Sequence, residues 1–454
     1  MPVIDENQVR AACDYNKRLN VSQRVVKDPG ADSAGLAGIL GEVDATANLP
    51  LEKALCLPAE AYSSEAFFSW EEKNVLRAEW ICVAHSSQVA KVGDFLTLDL
   101  LGEPLLVVQD KDNQIRVLSR ACPHRGMDIM PPGFGHTPAV PTEGTPGAGH
   151  TRLFLCPYHT WTFELDGKLK ACPEMHQAEG FQRNEWGLRE FRSEVWQGFI
   201  FVNLDGSAPE SASQQFAGFA SHLSKWASQD LVVVDAREWD CPFNWKVIVE
   251  NFMESYHHLG AHLGTLQPMM PAKDSWTEKE KAHFIRCHIP YGAKERAAIA
   301  EAEAAGGARE IFPVLPGLDQ RDRFEWGLTL GYPNFLLAYV PDCLIWYRVQ
   351  PEGPHRHTLL TTLLVPRAAT ELPDFNERLA KATAASVAFH LEDMEMCVGV
   401  QRSYYASGYQ RGRLSHLEMP IWLLQRYLAA RSRGTWPTLD RPSAPSQAPK
   451  TTEA

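Results

Sequence analysis

The spacing of apolar positions changes character along this chain of 454 residues, and each change marks a different kind of element. Residues 1–50 are mixed and weakly patterned. The run SEAFFSWEEKNVLRAEWICVAH, starting at Ser64, then carries apolar residues at helical spacing and predicts a helix leading into a strand. From Gly93 to about Leu204 the pattern becomes a series of short β-rich runs, among them FLTLDLLG, PLLVVQD, IRVLSR, RLFLCPYH, WTFELDGKLKAC and WQGFIFVNLDG. Turn residues separate them, and Asp166-Gly167 is a two-residue hairpin signal. Beyond Ser207 the texture is mixed. A helix is expected over 213–228, a strand passing into a helix through VVVDAREWDCPFNWKVIVENFMESYHH, more strands in RFEWGLTLGYPNFLLAYVPDCLIWYRVQP and HRHTLLTTLLVPR, and closing helices near 373–402 and 417–431. No internal repeat is present. The pattern divides the chain into an N-terminal segment (1–56), a compact antiparallel β-domain (57–206), a larger domain (207–433) and a Pro/Ser/Thr-rich tail (434–454) expected to be disordered. The fold class is α+β.

Composition removes several functions from consideration. At 44% hydrophobic and 22% charged the chain is ordinary globular protein. A net charge of −12 argues against a nucleic-acid partner, which needs a basic face, and disfavours a membrane-surface role. No apolar stretch approaches 18 residues, and the N-terminus lacks a signal-peptide pattern, so a cytoplasmic location is the default expectation. The ten cysteines are scattered along the chain; most are expected to be buried thiols.

Four residues in the β-domain break that rule. Cys122-Pro-His124-Arg-Gly and Cys156-Pro-Tyr-His159-Thr-Trp give C-x-H and then C-x-x-H, each beside an expected strand. A Rieske-type [2Fe-2S] cluster takes two thiolates on one iron and two imidazoles on the other, and one Cys plus one His from each of two loops supplies that set. Either spacing alone is weak: Cys82-Val-Ala-His85 is also C-x-x-H, and within WICVAH it reads as buried strand. A structural zinc site favours paired Cys or paired His knuckles instead. The two loops together point to the cluster.

A second concentration lies in NWKVIVENFMESYHHLGAH. Glu250, Glu254 and His257 fall at i, i+4 and i+7, on one face if the helix is continuous. His262 is five residues beyond His257, and Gly260 between them allows a break that turns both rings to one point. Two histidines and a carboxylate with open positions form the facial triad of oxygen-activating Fe(II) sites. The carboxylate is expected from HLEDMEMCVGVQR. There Asp393 shares a face with Phe389, Met396 and Val400, whereas Glu392 and Glu395 read as a solvated face. His258 points off the ligand face.

Together these segments resemble the α subunits of Rieske non-haem iron oxygenases, the aromatic-ring-hydroxylating oxygenases, from about Leu57 to Arg431. The resemblance implies that Cys122, His124, Cys156 and His159 hold the cluster and that His257, His262 and Asp393 hold a mononuclear Fe(II). It makes Glu254 a bridging acid between His159 of a neighbouring subunit and an iron ligand. Asn251 then sits beside the iron, and the assembly is a homotrimer or a multiple of it. The family architecture is a small antiparallel β Rieske domain beside a larger catalytic domain with helices around an antiparallel sheet. Glu rather than Asp at position 254 resembles the branch acting on choline, carnitine and other quaternary ammonium compounds. The connection 131–149, with five Pro and five Gly in 19 residues, is longer than usual and is expected to be a surface insertion.

The chain shows no G-x-G-x-x-G after a strand and no plant-type cysteine run, so electrons are expected from a separate reductase of ferredoxin or flavin type. The activity implied is O2-dependent hydroxylation, or oxidative demethylation, of a small aromatic or quaternary ammonium substrate. The competing reading is a Rieske electron-transfer protein without oxygenase activity, which predicts no second metal site. Met269, Met270, Trp276, Phe312 and Tyr339 are candidate pocket residues that equally suit a plain core.

Overall fold

A computed structural model describes residues 35–130 and 147–436. The first 34 residues of the N-terminal segment, most of the 131–149 connection and the tail from 437 lie outside the described residues. The chain forms two compact units, one of residues 77–215 and 229–233, the other of the remainder.

The smaller unit is mainly β, with only short turns of helix between or after its strands. Its strands are β1 (Ile81–His85), β2 (Asp94–Leu100), β3 (Glu103–Gln109), β4 (Ile115–Ser119), β5 (Ala148–His150), β6 (Phe154–Leu155), β7 (Thr162–Phe163), β8 (Leu169–Ala171), β9 (Arg192–Trp196) and β10 (Phe199–Asn203). They form three sheets with orders β4-β3-β2-β5, β6-β7-β8 and β1-β10-β9, all paired antiparallel. Side chains alternate across a strand, and β3 shows why its sequence runs apolar without a break. Leu105 and Val107 enter one core with Ile81, Val83 and Ile200, while Leu106 and Val108 enter another with Phe154, Trp161 and Phe163. A sheet covered on both faces needs no polar alternation. The second core also contains Cys122 and Cys156. The Asp166-Gly167 turn joins β7 to β8, with Gly167 at φ +84°. His85 and Cys82 are buried in β1, and the His85 ring bonds to Ser87 at 2.9 Å.

The larger unit is built on a seven-stranded sheet, ordered β11-β17-β16-β15-β14-β13-β12. Its strands are β11 (Leu231–Cys241), β12 (Trp276–Thr277), β13 (Phe284–Pro290), β14 (Glu325–Gly331), β15 (Phe335–Val340), β16 (Cys343–Gly353) and β17 (Arg356–Pro366). Its helices include α1 (Gly35–Ala47), α2 (Glu65–Glu71), α3 (Trp245–Met253), α4 (Phe375–Ser403) and α5 (Met419–Ser432). The expected helix over 213–228 is instead a series of short turns of helix. Residues 57–76, grouped with the β-domain by sequence pattern, belong to this larger unit. The reason is burial: Glu71 of α2 pairs with Lys246 of α3 at 2.7 Å with both side chains fully enclosed. The Lys246 ammonium also lies 5.3 Å from the Tyr62 ring and 5.4 Å from that of Phe67. The far end differs from expectation too, because Trp436 packs on the rings of His283 and Tyr427 rather than trailing as tail.

Two buried charges on α3 give measurable consequences. Replacing one member of an enclosed ion pair strands the other, so Lys246→Met should cost about 3–5 kcal/mol, read as a lower urea midpoint. Adding Glu71→Leu should recover most of that loss. Burial pushes the Glu250 carboxyl up to about 7, although the Tyr62 hydroxyl donates to it at 2.6 Å and Lys246 pulls the other way. A carboxyl raised on folding stabilises the folded state at low pH and loses that contribution as pH rises toward 7. Glu250→Gln should therefore flatten the decline in unfolding free energy between pH 5 and 8 by about 3 kcal/mol.

Candidate functional site: two groups of metal-ligating side chains

In the β unit, the two Cys-Pro loops are the same turn built twice. The Cys122 N–H donates to the Met127 carbonyl and the Gly126 N–H to the Cys122 carbonyl, each at 2.8 Å. The Cys156 N–H likewise donates to Trp161 and the Thr160 N–H to Cys156, at 2.8 and 3.0 Å. The fifth residue of each loop takes left-handed backbone, Gly126 at φ +73° and Thr160 at φ +59°. Histidine stands third in one loop and fourth in the other, and the two rings meet with centroids 4.7 Å apart. His124 stacks on Trp161 at 4.8 Å, which fixes its plane. The Nδ1 of His159 is buried and has no hydrogen-bond partner.

Burial pushes the Cys122 thiol up to about 11, while the N–H groups of His124 and Arg125 aimed at its sulfur pull the other way and the neighbouring Cys156 pushes it further up. Such a pair of sulfurs becomes thiolate when a metal neutralises it. Among the described residues the only group of three or more His, Cys or acidic donors within 4.8 Å of one another is elsewhere. The Cys/His quartet therefore does not converge on one point as a single zinc ion requires. Two sulfurs at one end, two imidazoles at the other and an orphaned ring nitrogen fit a two-iron core.

The converging group is His257, His262 and Asp393. Glu250, Glu254 and His257 do not share one face of a continuous helix, as their spacing suggested. Helix α3 stops at Met253, and Glu254 is extended at φ −121°, ψ 162°. The cause is the Glu254 carboxylate, which accepts from the backbone N–H groups of Tyr256 and His257 and caps the short 3₁₀ turn Tyr256–Leu259. The break is thus at residues 254–255, and Gly260 keeps negative φ. The same carboxylate holds His257 Nδ1 at 2.6 Å. His262 Nδ1 is held at 2.6 Å by Glu392, which also accepts from the Thr265 hydroxyl at 2.7 Å.

With both Nδ1 atoms occupied, both Nε2 atoms turn to Asp393 Oδ1, at 3.4 Å for His257 and 2.9 Å for His262. Asn251 donates to the same oxygen at 3.2 Å. Burial presses the two imidazole pKa values down, but the surrounding carboxylates outweigh it and raise both; Asp393 is lowered by the two histidines despite its own burial. Three acids around two imidazoles make a cation site, and a histidine whose far nitrogen is held by a carboxylate is the usual posture of a metal ligand. The donor set fits a divalent iron.

Sequence reasoning missed Glu392. Neighbouring residues on a helix point about 100° apart, which seemed to send Glu392 to solvent if Asp393 faced inward. His262 inserts between them and is held from both sides. The apolar face assigned to Asp393 is also only half buried, since Met396 is 42% and Val400 43% exposed. His258 is buried beside the group, its Nδ1 on the Met270 carbonyl at 3.2 Å, and is not part of it. The group opens on a cavity of about 560 Å³, mouth included, walled by Phe252, Met270, Trp326, Tyr347 and Phe389 among others. Of the candidate pocket residues only Met270 lines it. Trp276 instead stacks on His288, and Phe312 and Tyr339 are core. Among the described residues no helix is long and apolar enough to cross a membrane.

The fold and these two groups define a two-domain α subunit of the Rieske oxygenase type. Residues 79–191 match the Rieske [2Fe-2S] domain and 228–434 match the ring hydroxylating alpha subunit (catalytic domain), so the chain belongs to that family. It is 34% identical over 214 residues to the carnitine monooxygenase oxygenase subunit of Acinetobacter baumannii, covering 46% of this chain and 53% of that one. It is 25% identical over 398 residues to the glycine betaine monooxygenase oxygenase subunit of Chromohalobacter salexigens, covering 82% and 85%. The chain spans about half the length of the curated relatives it matches at the highest identity. A crystal structure of a quaternary ammonium Rieske monooxygenase with L-carnitine shares the fold, with TM-score 0.68 at 24% identity over 84% of this chain and 99% of the other.

Glu392→Gln should weaken Fe(II) binding by roughly 10–100-fold, measured by anaerobic Fe(II) titration, while the cluster's visible absorption is unchanged. Because protons compete with iron for both histidines, and the surrounding carboxylates favour their protonated form, mononuclear iron should be released as pH falls. Iron analysis after dialysis across pH checks this.

Proposed function

We propose that this chain is the oxygenase component of a multicomponent system that takes electrons from a separate reductase and uses O2 to hydroxylate, or oxidatively demethylate, a small organic substrate. The observation that carries this reading is the coexistence, in one polypeptide, of the Cys122/His124/Cys156/His159 quartet and the His257/His262/Asp393 group at the foot of a cavity. An electron carrier needs the first and has no use for the second. When bound, the cluster would supply single electrons and the iron an O2-activating centre.

The residues around the iron site do the positioning. Glu254 and Glu392 fix the ring planes of His257 and His262, Asn251 holds one oxygen of Asp393, and the aromatic walls exclude water from the substrate's side. Glu254 would also take the bridging role, contacting His159 of a neighbouring subunit. In support, the large hydrophobics Tyr256, Leu259 and Leu263, in the segment that follows Glu254, and Met396 and Val400, on the helix of Asp393, are all exposed in the single chain. An oligomer interface would cover such residues. A related solved structure, of a quaternary ammonium Rieske monooxygenase, is described as giving insights into carnitine oxidation and into inter-subunit electron transfer. We propose the same arrangement here, in a homotrimer or a multiple of it.

Metal analysis tests this. The purified chain should hold about three irons and two acid-labile sulfides, with the low-average-g EPR signal of a histidine-ligated cluster after dithionite reduction. Asp393→Ala should lose about one iron and keep the sulfide and the signal. Two irons with that signal in the native chain, unchanged on adding Fe(II), would leave only the electron carrier. Zinc without sulfide would refute both.

A further inference from the structure

An iron centre that activates O2 becomes an oxidant of the protein itself whenever no substrate is present to be oxidised. The groups in reach are the cavity wall and the residues behind Asp393. Met394, the next residue on α4, is buried, and the Cys241 sulfur lies 3.8 Å from its thioether. Oxidation of a thioether adds an oxygen that only a repair enzyme removes, so an undamaging route for the oxidising equivalent matters here.

Tyr347 offers one. It lines the same cavity as His257, His262 and Asp393, and its hydroxyl lies 3.2 Å from Nδ1 of His390, its one partner among the described residues. His390 stands three residues before Asp393 on α4, one turn away on the same side. Burial pushes the His390 imidazole down to about 4. Burial, and then the Asp393 charge, push the Tyr347 phenol up, so both groups are neutral. A neutral phenol is a good electron donor only if its proton leaves at the same time, and Nδ1 is the base in place to receive it. With Nδ1 accepting, the imidazole hydrogen is on Nε2, which is enclosed without a conventional partner. The Trp239 ring packed against the imidazole offers it a π face.

The ring contacts continue outward. The imidazole centroid is 5.6 Å from that of Tyr347 and 4.3 Å from that of Trp239. The Trp239 indole N–H donates to the Thr361 hydroxyl at 3.0 Å. Thr361 lines a second cavity of about 290 Å³, mouth included, together with Asp235, Thr383 and Ser386. Trp326 also lines the iron cavity, but its indole N–H donates to the Tyr291 hydroxyl at 2.9 Å, and a phenol is no base.

We propose that Tyr347, His390 and Trp239 form a redox relay that discharges the iron centre when O2 is activated with no substrate bound. Tyr347 gives one electron to the over-oxidised iron and its phenol proton to Nδ1 of His390. Trp239 then gives one electron to the tyrosyl radical, and Nδ1 returns the proton, which restores the phenol. The oxidised indole releases its N–H proton toward the Thr361 cavity. A small thiol in solution supplies the hydrogen atom that restores the indole, and two thiols so oxidised combine as one disulfide. The relay rests on the oxygenase reading of the same site.

The test adds hydrogen peroxide to substrate-free holoenzyme, its cluster oxidised and therefore EPR-silent, and freezes samples at intervals. The native protein should show a tyrosyl radical and then a tryptophanyl radical, each assigned with the ring-deuterated amino acid. Tyr347→Phe should lose both signals, and Trp239→Phe should keep the tyrosyl radical and prolong it. In peptide mass spectra of the same samples, sulfoxide at Met394 should build up several-fold faster in Tyr347→Phe than in the native protein. No organic radical in the native protein, signals that survive Tyr347→Phe, or equal oxidation of Met394 would each overturn the proposal. If Tyr347→Phe does not fold, Trp239→Phe decides alone, since a tyrosyl signal decaying there as in the native protein refutes the relay. Iron and sulfide assays keep the two claims apart. A fully loaded chain without a Tyr347 radical keeps the oxygenase reading and loses the relay, whereas a chain that holds no mononuclear iron loses the oxygenase reading.

Discussion

An imidazole has two nitrogens, and a metal site works only if the right one of each ring is available at the right place. Here that selection is made by carboxylates lying outside the ligand set. Glu254 takes Nδ1 of His257 and Glu392 takes Nδ1 of His262, so both Nε2 atoms are left to meet Asp393. The same two acids set the backbone or bind the segment around them. Glu254 ends α3 by capping the next turn, and Glu392 also anchors Thr265 at the start of the segment that follows His262. The position of each ring, its tautomer and its net charge thus follow from one arrangement. A carboxylate also makes its histidine a better donor to a cation, so geometry and affinity are fixed together.

That arrangement depends on α3 and α4 being held rigid. Asn244 starts α3 by accepting from the Lys246 N–H at 2.9 Å, and Gln401 of α4 accepts from the Asn244 N–H at 2.8 Å. The Glu71–Lys246 pair ties α3 to α2 through charges that have no access to water. Enclosed pairs of this kind add little net stability, but they tolerate only one relative placement of the helices that carry them. Helix position then passes directly to Asn251 and so to Asp393.

Most of the fold was legible in the sequence where local pattern and tertiary environment agree. The Cys122 and Cys156 loops announced themselves because ligand type, spacing and turn residues all sit within a few positions. The strands from Asp94 to Ser119 and from Glu325 to Pro366 did so through apolar runs bounded by turn residues. The misses share a different cause. The end of α3 carries no glycine or proline; it is set by a side chain folding back on its own backbone. Glu392 looked solvated because adjacency along a helix was weighed without the ring that would wedge between two neighbours. Residues 57–76 read as the lead-in to β1, yet Lys246, the partner of Glu71, is 175 positions away in sequence. The cavity wall was equally hidden, since Trp326, Tyr347 and Phe389 come together only through the order of the sheet and the course of α4.

The larger unit is discontinuous in sequence, and this affects how the chain is made. Helix α1 packs on α5, Trp422 donates to the Leu49 carbonyl at 2.9 Å, and the Cys56 N–H donates to Gly412 at 3.0 Å. Its N-terminal segment therefore waits for its final helix, and every strand of the β unit is synthesised in between. During translation the β unit has its full set of residues by Val233, whereas the larger unit is incomplete until Ser432 has emerged. The β unit therefore has all its residues before the helix that carries Asp393 has been made, and the iron site is completed only with that later helix.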